Sequence, residues 1–366
     1  MTAGLTALRR QAVAASLRPA ETIAEALAAM RFLQLDPIRA PARAADLILR
    51  QRIVGYRAGD LDRAYPSLDL AEDYIHVYGV MPHATRDLLH PRRASHRFRV
   101  EREHPRLASR VFAHVQANGE THPRDLVALG NHRTTSGWGN DSTATTRVLE
   151  ALHFRGKLRV TRRVNGVKLY ALADPPPEPQ APAVRADAIF RLLLDLYAPL
   201  PEPTFRQIVR MVTDASVSPT LAARTLDKVR HAPDVERLAV DRVTWLRAAR
   251  TEAEVDVEDR VRFLAPFDPV VWDRRRFTLL WGWDYRFEAY TPASKRKLGY
   301  YALPLLWRDD VIGWANAAML DHTLTVDVGY AGKPPRDATF RRELAAEAER
   351  LREFLGAERF VIRAIK

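Results

Sequence analysis

The most suggestive chemistry in this sequence is an amide and a carboxylate two residues apart, directly ahead of a proline: Gln34-Leu35-Asp36-Pro37. Proline keeps the residue before it out of helical space, so Asp36 is expected to be extended. Along an extended chain, residues i and i+2 project to the same side, which sets Gln34 beside Asp36 and turns Leu35 away. An amide and a carboxylate so placed can hold one water, with the carboxylate accepting its proton. A bare Gln-x-Asp-Pro is more often a turn or a helix terminus, so the reading needs support from the rest of the chain.

The other common chemistries are missing. His76, His83 and His90 recur every seven residues, but Pro82 and Pro91 break any helix that would align them, and there is no H-E-x-x-H. No metal site is therefore expected. Gly137-Trp138-Gly139 lacks the third glycine and the preceding strand of a dinucleotide loop, and neither G-x-S-x-G nor a P-loop occurs. The absence of cysteine excludes disulfides, Cys-based zinc sites, iron–sulfur centres and thiol catalysis, and fits a reducing cytoplasm. Neither metal nor cofactor is expected.

Charge points to a polyanion. The 366 residues carry 57 Lys+Arg against 45 Asp+Glu, a formal charge of +12, and the pI is near 10.1, which favours a nucleic-acid partner. The surplus is clustered: residues 86–110 hold eight arginines against three acids, and residues 155–168 hold six cations and no acid. No window approaches the roughly 18 apolar residues of a membrane span, and Arg9 and Arg10 interrupt the first apolar stretch. A cytoplasmic, nucleoid-associated protein is expected.

The elements that must position these groups follow from periodicity and punctuation. Helices are expected at 5–17, 21–31 and 43–52, separated by a short extended stretch at 32–38, and residues 60–104 read as loops with helical patches. From 105 the pattern sharpens to helices at 106–118, 124–129 and 142–154. Strands at 157–163 and 167–172 follow, joined by Asn165-Gly166, a strong hairpin signal. Three helices closed by a hairpin is the winged-helix arrangement, with the third helix facing nucleic acid and Arg159, Arg162, Arg163 and Lys168 on the wing. Five prolines within residues 175–182 form a semi-rigid linker. The grammar then recurs, with helices at 186–197, 204–212 and 219–230 and strands at 235–240 and 242–246. Beyond 260 a meander at 300–308, 311–319 and 323–330, a helix at 336–355 and a strand at 360–365 are expected. The fold class is mainly α with β (α+β), with tandem winged-helix modules ahead of a C-terminal β-rich domain. The expected divisions are a first module at 1–104, a second at 105–174, the linker at 175–183, a third module at 184–250 and the β-rich domain at 260–366.

Five stretches, taken together, resemble the AlkZ/YcaQ family of bacterial winged-helix DNA glycosylases. They are Gln34-Leu35-Asp36, His76-Val77-Tyr78-Gly79-Val80-Met81-Pro82, Ser136-Gly137-Trp138, Leu264-Ala265-Pro266-Phe267-Asp268-Pro269-Val270-Val271-Trp272-Asp273-Arg274 and Tyr290-Thr291-Pro292-Ala293-Ser294-Lys295-Arg296-Lys297. Their order and spacing hold across the whole chain, and the two C-terminal stretches are long enough to be specific. The resemblance implies a C-shaped molecule with a basic concave cleft and a monofunctional glycosylase. Its expected substrates are N7-alkylated purines in double-stranded DNA, including those in interstrand crosslinks.

Gln34 and Asp36 match the YcaQ-type form of the catalytic triplet, His76 and Trp138 would neighbour the site, and Lys295, Arg296 and Lys297 would lie near DNA. An N7-alkylpurine is already cationic, so Asp36 would stabilise the sugar cation and direct a water, with Gln34 placing the water or the deoxyribose. Two departures, Val77 in place of an acidic residue and the stretch Gly139-Asn140-Asp141-Ser142-Thr143, favour monoadducts over crosslinks. The rival expectation is a winged-helix DNA-binding protein or transcriptional regulator without catalysis. The absence of a heptad helix for dimerisation speaks against it and for a monomer.

Overall fold

The structure, a computed structural model, describes residues 3–93, 98–130, 133–135, 141–174, 178–249 and 257–365. The chain is α+β and its contacts divide it into two compact units. One comprises Met1–Leu61, Arg191–Ile208 and Lys228–Lys366, the other Asp62–Phe190 and Val209–Asp227. No helix among the described residues is long and apolar enough to cross a membrane.

In the first unit, helices Ala3–Ser16, Ile23–Met30 and Ala44–Leu49 form close to their expected places. The C-terminal sheet runs in the order Val261–Phe263, Leu303–Trp307, Asp310–Leu320, Thr323–Tyr330, Arg359–Ala364. Its first four strands pair antiparallel and the last pairs parallel, Thr323 facing Arg359 and Val328 facing Ala364. A parallel neighbour requires a crossover, supplied by helix Ala338–Leu355. The meander and this helix agree with the sequence reading, whereas strand Val261–Phe263 and helix Arg274–Trp281 were not anticipated. Leu8 and Ala12 of the first helix bury against Leu264, Val271, Phe277 and Leu280 of the β-rich segment in one apolar core.

One buried ion pair ties the N-terminal helices to that segment. Arg52 Nη1 donates to Asp268 Oδ2 at 2.8 Å and Nη2 to Oδ1 at 3.1 Å, with both side chains enclosed. Arg52 Nε donates to Ser16 O, and Asp268 Oδ1 also accepts from Val270 N–H at 3.1 Å. Beside it Glu347 accepts from Arg50, Gln51 and Phe263 N–H.

In the second unit, helix Pro105–Asn118, the 3₁₀ turn Pro123–Leu129 and helix Ala144–Phe154 enclose a core of Val111, Val115, Leu126, Val148 and Leu152. Strands Leu158–Val164 and Val167–Leu172 follow as the expected hairpin, with Asn165 at φ 51° and Gly166 at φ 82° in its turn. The segment 60–104 differs from expectation. It contains an antiparallel hairpin, Leu70–Tyr74 with Tyr78–Pro82. The sequence hides it because Glu72 and Asp73 lie inside, where an alternation rule expects apolar residues.

Asp268→Ala leaves the Arg52 guanidinium buried without its counter-charge, so unfolding free energy in urea should fall by about 3–5 kcal/mol. A loss under about 1 kcal/mol, the scale of an exposed pair, would show that the pair is not structural.

Candidate active site

Helix Ile23–Met30 starts on Thr22, whose hydroxyl accepts from Glu25 N–H, and stops at Arg31, which turns left-handed at φ 58° and donates its N–H to Leu27 O. The turn delivers Phe32 and Leu33 into the core, at 2% and 1% exposure, and they anchor the extended stretch that carries Gln34. Pro37 then keeps Asp36 extended. Asp36 Oδ1 accepts from Ile38 N–H at 2.9 Å, an Asx turn that fixes the carboxylate against its own backbone. Among the described residues no cation pairs with this half-buried group. Burial raises its pKa above the usual carboxylate value, and the Ile38 N–H pulls it partly back.

Gln34 is held from a distant part of the chain. Trp272 Nε1 donates to Gln34 Oε1 at 3.0 Å, and the indole is stacked on Tyr197, ring centroids 4.6 Å apart at 19°. An indole N–H only donates, so the end of the amide that faces it must be the oxygen. Gln34 Nε2 donates to no protein group among the described residues.

An aromatic wall stands within electrostatic reach of Asp36. Burial first, and the Asp36 charge second, raise the phenols of Tyr290 and Tyr301. Tyr301 is 4% exposed and its hydroxyl has no hydrogen-bond partner among the described residues, whereas Tyr290 is 80% exposed. Phe287 packs on both, at 5.3 Å and 6.1 Å.

The basic loop is rigidly built. Glu288, 4% exposed, accepts from the backbone N–H groups of Lys297 at 2.9 Å and Leu298 at 2.7 Å, and Asn316 Nδ2 donates to Leu298 O at 2.8 Å. Gly299 sits at φ 126°, and a Cβ there would meet Asn316 Oδ1 at 2.2 Å, so only glycine fits. The three consecutive cations do not all face one way. Lys295 and Lys297 are exposed, while Arg296 folds back, donating to Thr291 O at 2.8 Å and lying over the Tyr300 ring.

The remaining anticipated residues belong to the second unit. The His76 ring is enclosed in the turn between the two strands of the unanticipated hairpin, and burial pushes it down to about 3, so it is neutral near pH 7. Arg163 is tied to buried Glu72, which also accepts from Tyr78 Oη at 2.6 Å. The Lys168 ammonium lies 3.6 Å from the Tyr78 ring centroid and burial lowers it to about 8. Arg162 is exposed and bonded to Glu120, and Arg159 is exposed with Asp174 3.7 Å away. Ser136, Gly137 and Trp138 lie outside the described residues. Trp272, Tyr197, Tyr290 and Tyr301 were not singled out from the sequence. The signal for Trp272 and Tyr290 was their place inside the two longest shared stretches.

A family model described as DNA glycosylase AlkZ-like matches residues 27–354. Among solved structures the fold is similar to that of the DNA glycosylase AlkZ of Streptomyces sahachiroi. The TM-score is 0.67 at 15% identity, over 100% of both chains, a likeness of fold.

The raised pKa of Asp36 carries a stability consequence. Between the unfolded value near 3.8 and the raised folded value, the native state holds more protons than the unfolded one, so this group's contribution is fully present below 3.8 and is lost as pH rises through the folded pKa. Asp36→Asn should therefore raise the thermal midpoint at pH 7, with the gain shrinking as pH falls toward 4. A lowered midpoint at pH 7 would show that the carboxylate is a structural anchor.

Proposed function

Because the chain belongs to the AlkZ-like DNA glycosylase family, we propose that it is a monofunctional DNA-repair hydrolase that cleaves the N-glycosidic bond of cationic N7-alkylated purines in duplex DNA. The observation that carries this reading is Asp36, a half-buried carboxylate with no counter-cation among the described residues, two positions after a glutamine whose amide is already oriented. An alkyl group on N7 gives the purine a positive charge, so it departs as a neutral base and needs no strong general acid. What must be stabilised is the positive charge that develops on the deoxyribose as the bond from C1′ to N9 lengthens. An uncompensated carboxylate in a partly desolvated setting does this better than one in water. Water then bonds to C1′, the electron pair of the broken bond passes to the purine, and the released proton goes to Asp36. This chemistry calls for no metal and no cofactor.

Duplex affinity in this reading comes from exposed cations. Lys295 and Lys297 on the rigid loop are the leading phosphate contacts, joined by Arg159 and Arg162 of the hairpin Leu158–Val164 and Val167–Leu172. Arg163 and Lys168 hold that hairpin to Glu72 and Tyr78 instead. The succession Pro105–Asn118, Pro123–Leu129, Ala144–Phe154 and this hairpin supports a winged helix with the hairpin as its wing. Helices Pro182–Tyr197, Glu202–Val212 and Pro219–Arg230 with strands Val235–Val240 and Val243–Ala248 support another. The protein acts as a monomer on monoadducts, and unhooking an interstrand crosslink would cleave the same bond at a tethered base.

The test is single-turnover release of N7-methylguanine from duplex DNA. Asp36→Asn keeps shape and loses charge, so excision should fall by about two orders of magnitude or more, while duplex binding holds or tightens because an anion has left a DNA-binding surface. Wild-type activity should also decline in acid as Asp36 protonates. Undiminished excision by Asp36→Asn would remove the mechanism.

A separate measurement addresses binding. Replacing Lys295 and Lys297 together with alanine should flatten the slope of log affinity against log salt by about two units without regard to sequence. An unchanged slope would assign the loop to the solvated surface.

A further inference from the structure

We propose that Trp272 is a positioning residue that makes Gln34 a hydrogen-bond donor in the active site, so that the attacking water is held through a lone pair by Gln34 and through a proton by Asp36. The proposal rests on the reading of Gln34 and Asp36 as the catalytic pair.

The two ends of a carboxamide are nearly the same size and exchange by rotation about the last side-chain torsion. An unconstrained glutamine presents either end to a substrate. Here the choice is made by Trp272, whose Nε1–H meets Gln34 Oε1 at 3.0 Å. Rotating the amide would break that bond and set two donors against one another. The indole itself cannot turn away. It is stacked on Tyr197, its neighbour Val271 is fully buried, and the next residue, Asp273, caps helix Arg274–Trp281 by accepting from Arg276 N–H at 2.6 Å. Asp273 also accepts from Thr204 Oγ1 at 3.1 Å, which ties the same corner to helix Glu202–Val212.

The orientation decides what each partner does. Asp36 has one oxygen engaged by Ile38 N–H and, among the described residues, no partner on the other. A water that donates one proton to that oxygen and accepts from Gln34 Nε2 has one lone pair left, which forms the bond to C1′. With the amide reversed, the water would donate both protons to acceptors and neither lone pair would be aimed. The indole touches neither water nor sugar in this scheme and acts only through Gln34.

The test uses the full chain and duplex DNA containing N7-methylguanine. Trp272→Phe keeps an aromatic ring beside Tyr197 but removes the N–H along with part of the indole's area, so single-turnover excision should fall about tenfold with duplex affinity unchanged. Trp272→Phe with Gln34→Ala should be no slower than Gln34→Ala alone, because both act through one amide. Gln34→Glu retains an acceptor for the indole but has no N–H to offer, and it should be as slow as Gln34→Ala even if Trp272→Phe fails to fold. Independently of activity, the Trp272 indole proton should exchange with solvent slowly in the wild type and faster in Gln34→Ala. Wild-type rates in Trp272→Phe or Gln34→Glu, or additive losses in the double variant, would overturn the proposal while Asp36→Asn still tests the glycosylase reading separately. If Asp36→Asn and Gln34→Ala both excise normally, it is the underlying reading that falls.

Discussion

The candidate site depends on the buried contact between Arg52 and Asp268. A bidentate pair with both ends enclosed tolerates little displacement, because either charge left alone in the interior is strongly unfavourable. Compared with an apolar pair of equal volume such a contact adds little net stability, so its main consequence is geometric. It fixes the end of helix Ala44–Leu49 against the loop after strand Val261–Phe263. Four residues beyond Asp268 the chain reaches Trp272, and eighteen before Arg52 stands Gln34. The 3.0 Å bond between those two side chains thus joins the same two segments as a charge pair that takes no part in the proposed reaction. Glu347 reinforces the same seam by receiving Arg50, Gln51 and the backbone of Phe263.

How much of this was legible in the sequence depended on how local the governing rule is. The hairpin at Asn165-Gly166 and the C-terminal meander were readable because positive-φ turns and alternation act over a few residues. So was the extended state of Asp36, which Pro37 imposes on its neighbour. Elements whose burial contradicts their polarity were not. Helix Arg274–Trp281 opens with three arginines, yet Arg276 is 1% exposed and donates through Nε and Nη1 to the carbonyls of Pro199, Pro269 and Val270. Glu72 and Asp73 concealed a hairpin in the same way. The partnership of Trp272 with Gln34 was illegible because a contact across 238 positions is a property of the assembled fold.

The basic surplus presents a related problem. Of the consecutive cations at 295–297 at most part can face one way, and here Glu288 holds the backbone of Lys297 while Arg296 becomes part of the loop's frame and its neighbours remain outside. On the hairpin, Arg163 and Lys168 are likewise drawn to Glu72 and Tyr78, and Arg159 and Arg162 stay exposed. A charge count over a segment therefore overstates the phosphate-binding capacity of that segment.

Although the chain's formal charge is +12, Asp36 has no cationic partner among the described residues. Two arginines close in sequence to Trp272 donate to neutral acceptors. Arg274 donates to Val271 O and Pro266 O and lies over the Tyr285 ring, and Arg276 is surrounded by carbonyls. Among the described residues neither guanidinium pairs with Asp36. An ion pair there would lower the carboxylate's pKa and remove much of its field, which would weaken both roles proposed for it, attraction of a sugar cation and acceptance of a proton. Burial works in the other direction and would, alone, favour the protonated form. The single N–H of Ile38 opposes burial without neutralising the charge, since a hydrogen-bond donor steadies an anion while leaving its net charge in place. Pro37, which holds Asp36 extended, lies between the carboxylate and that N–H. The short motif therefore supplies both the carboxylate and a contact that favours its ionised state.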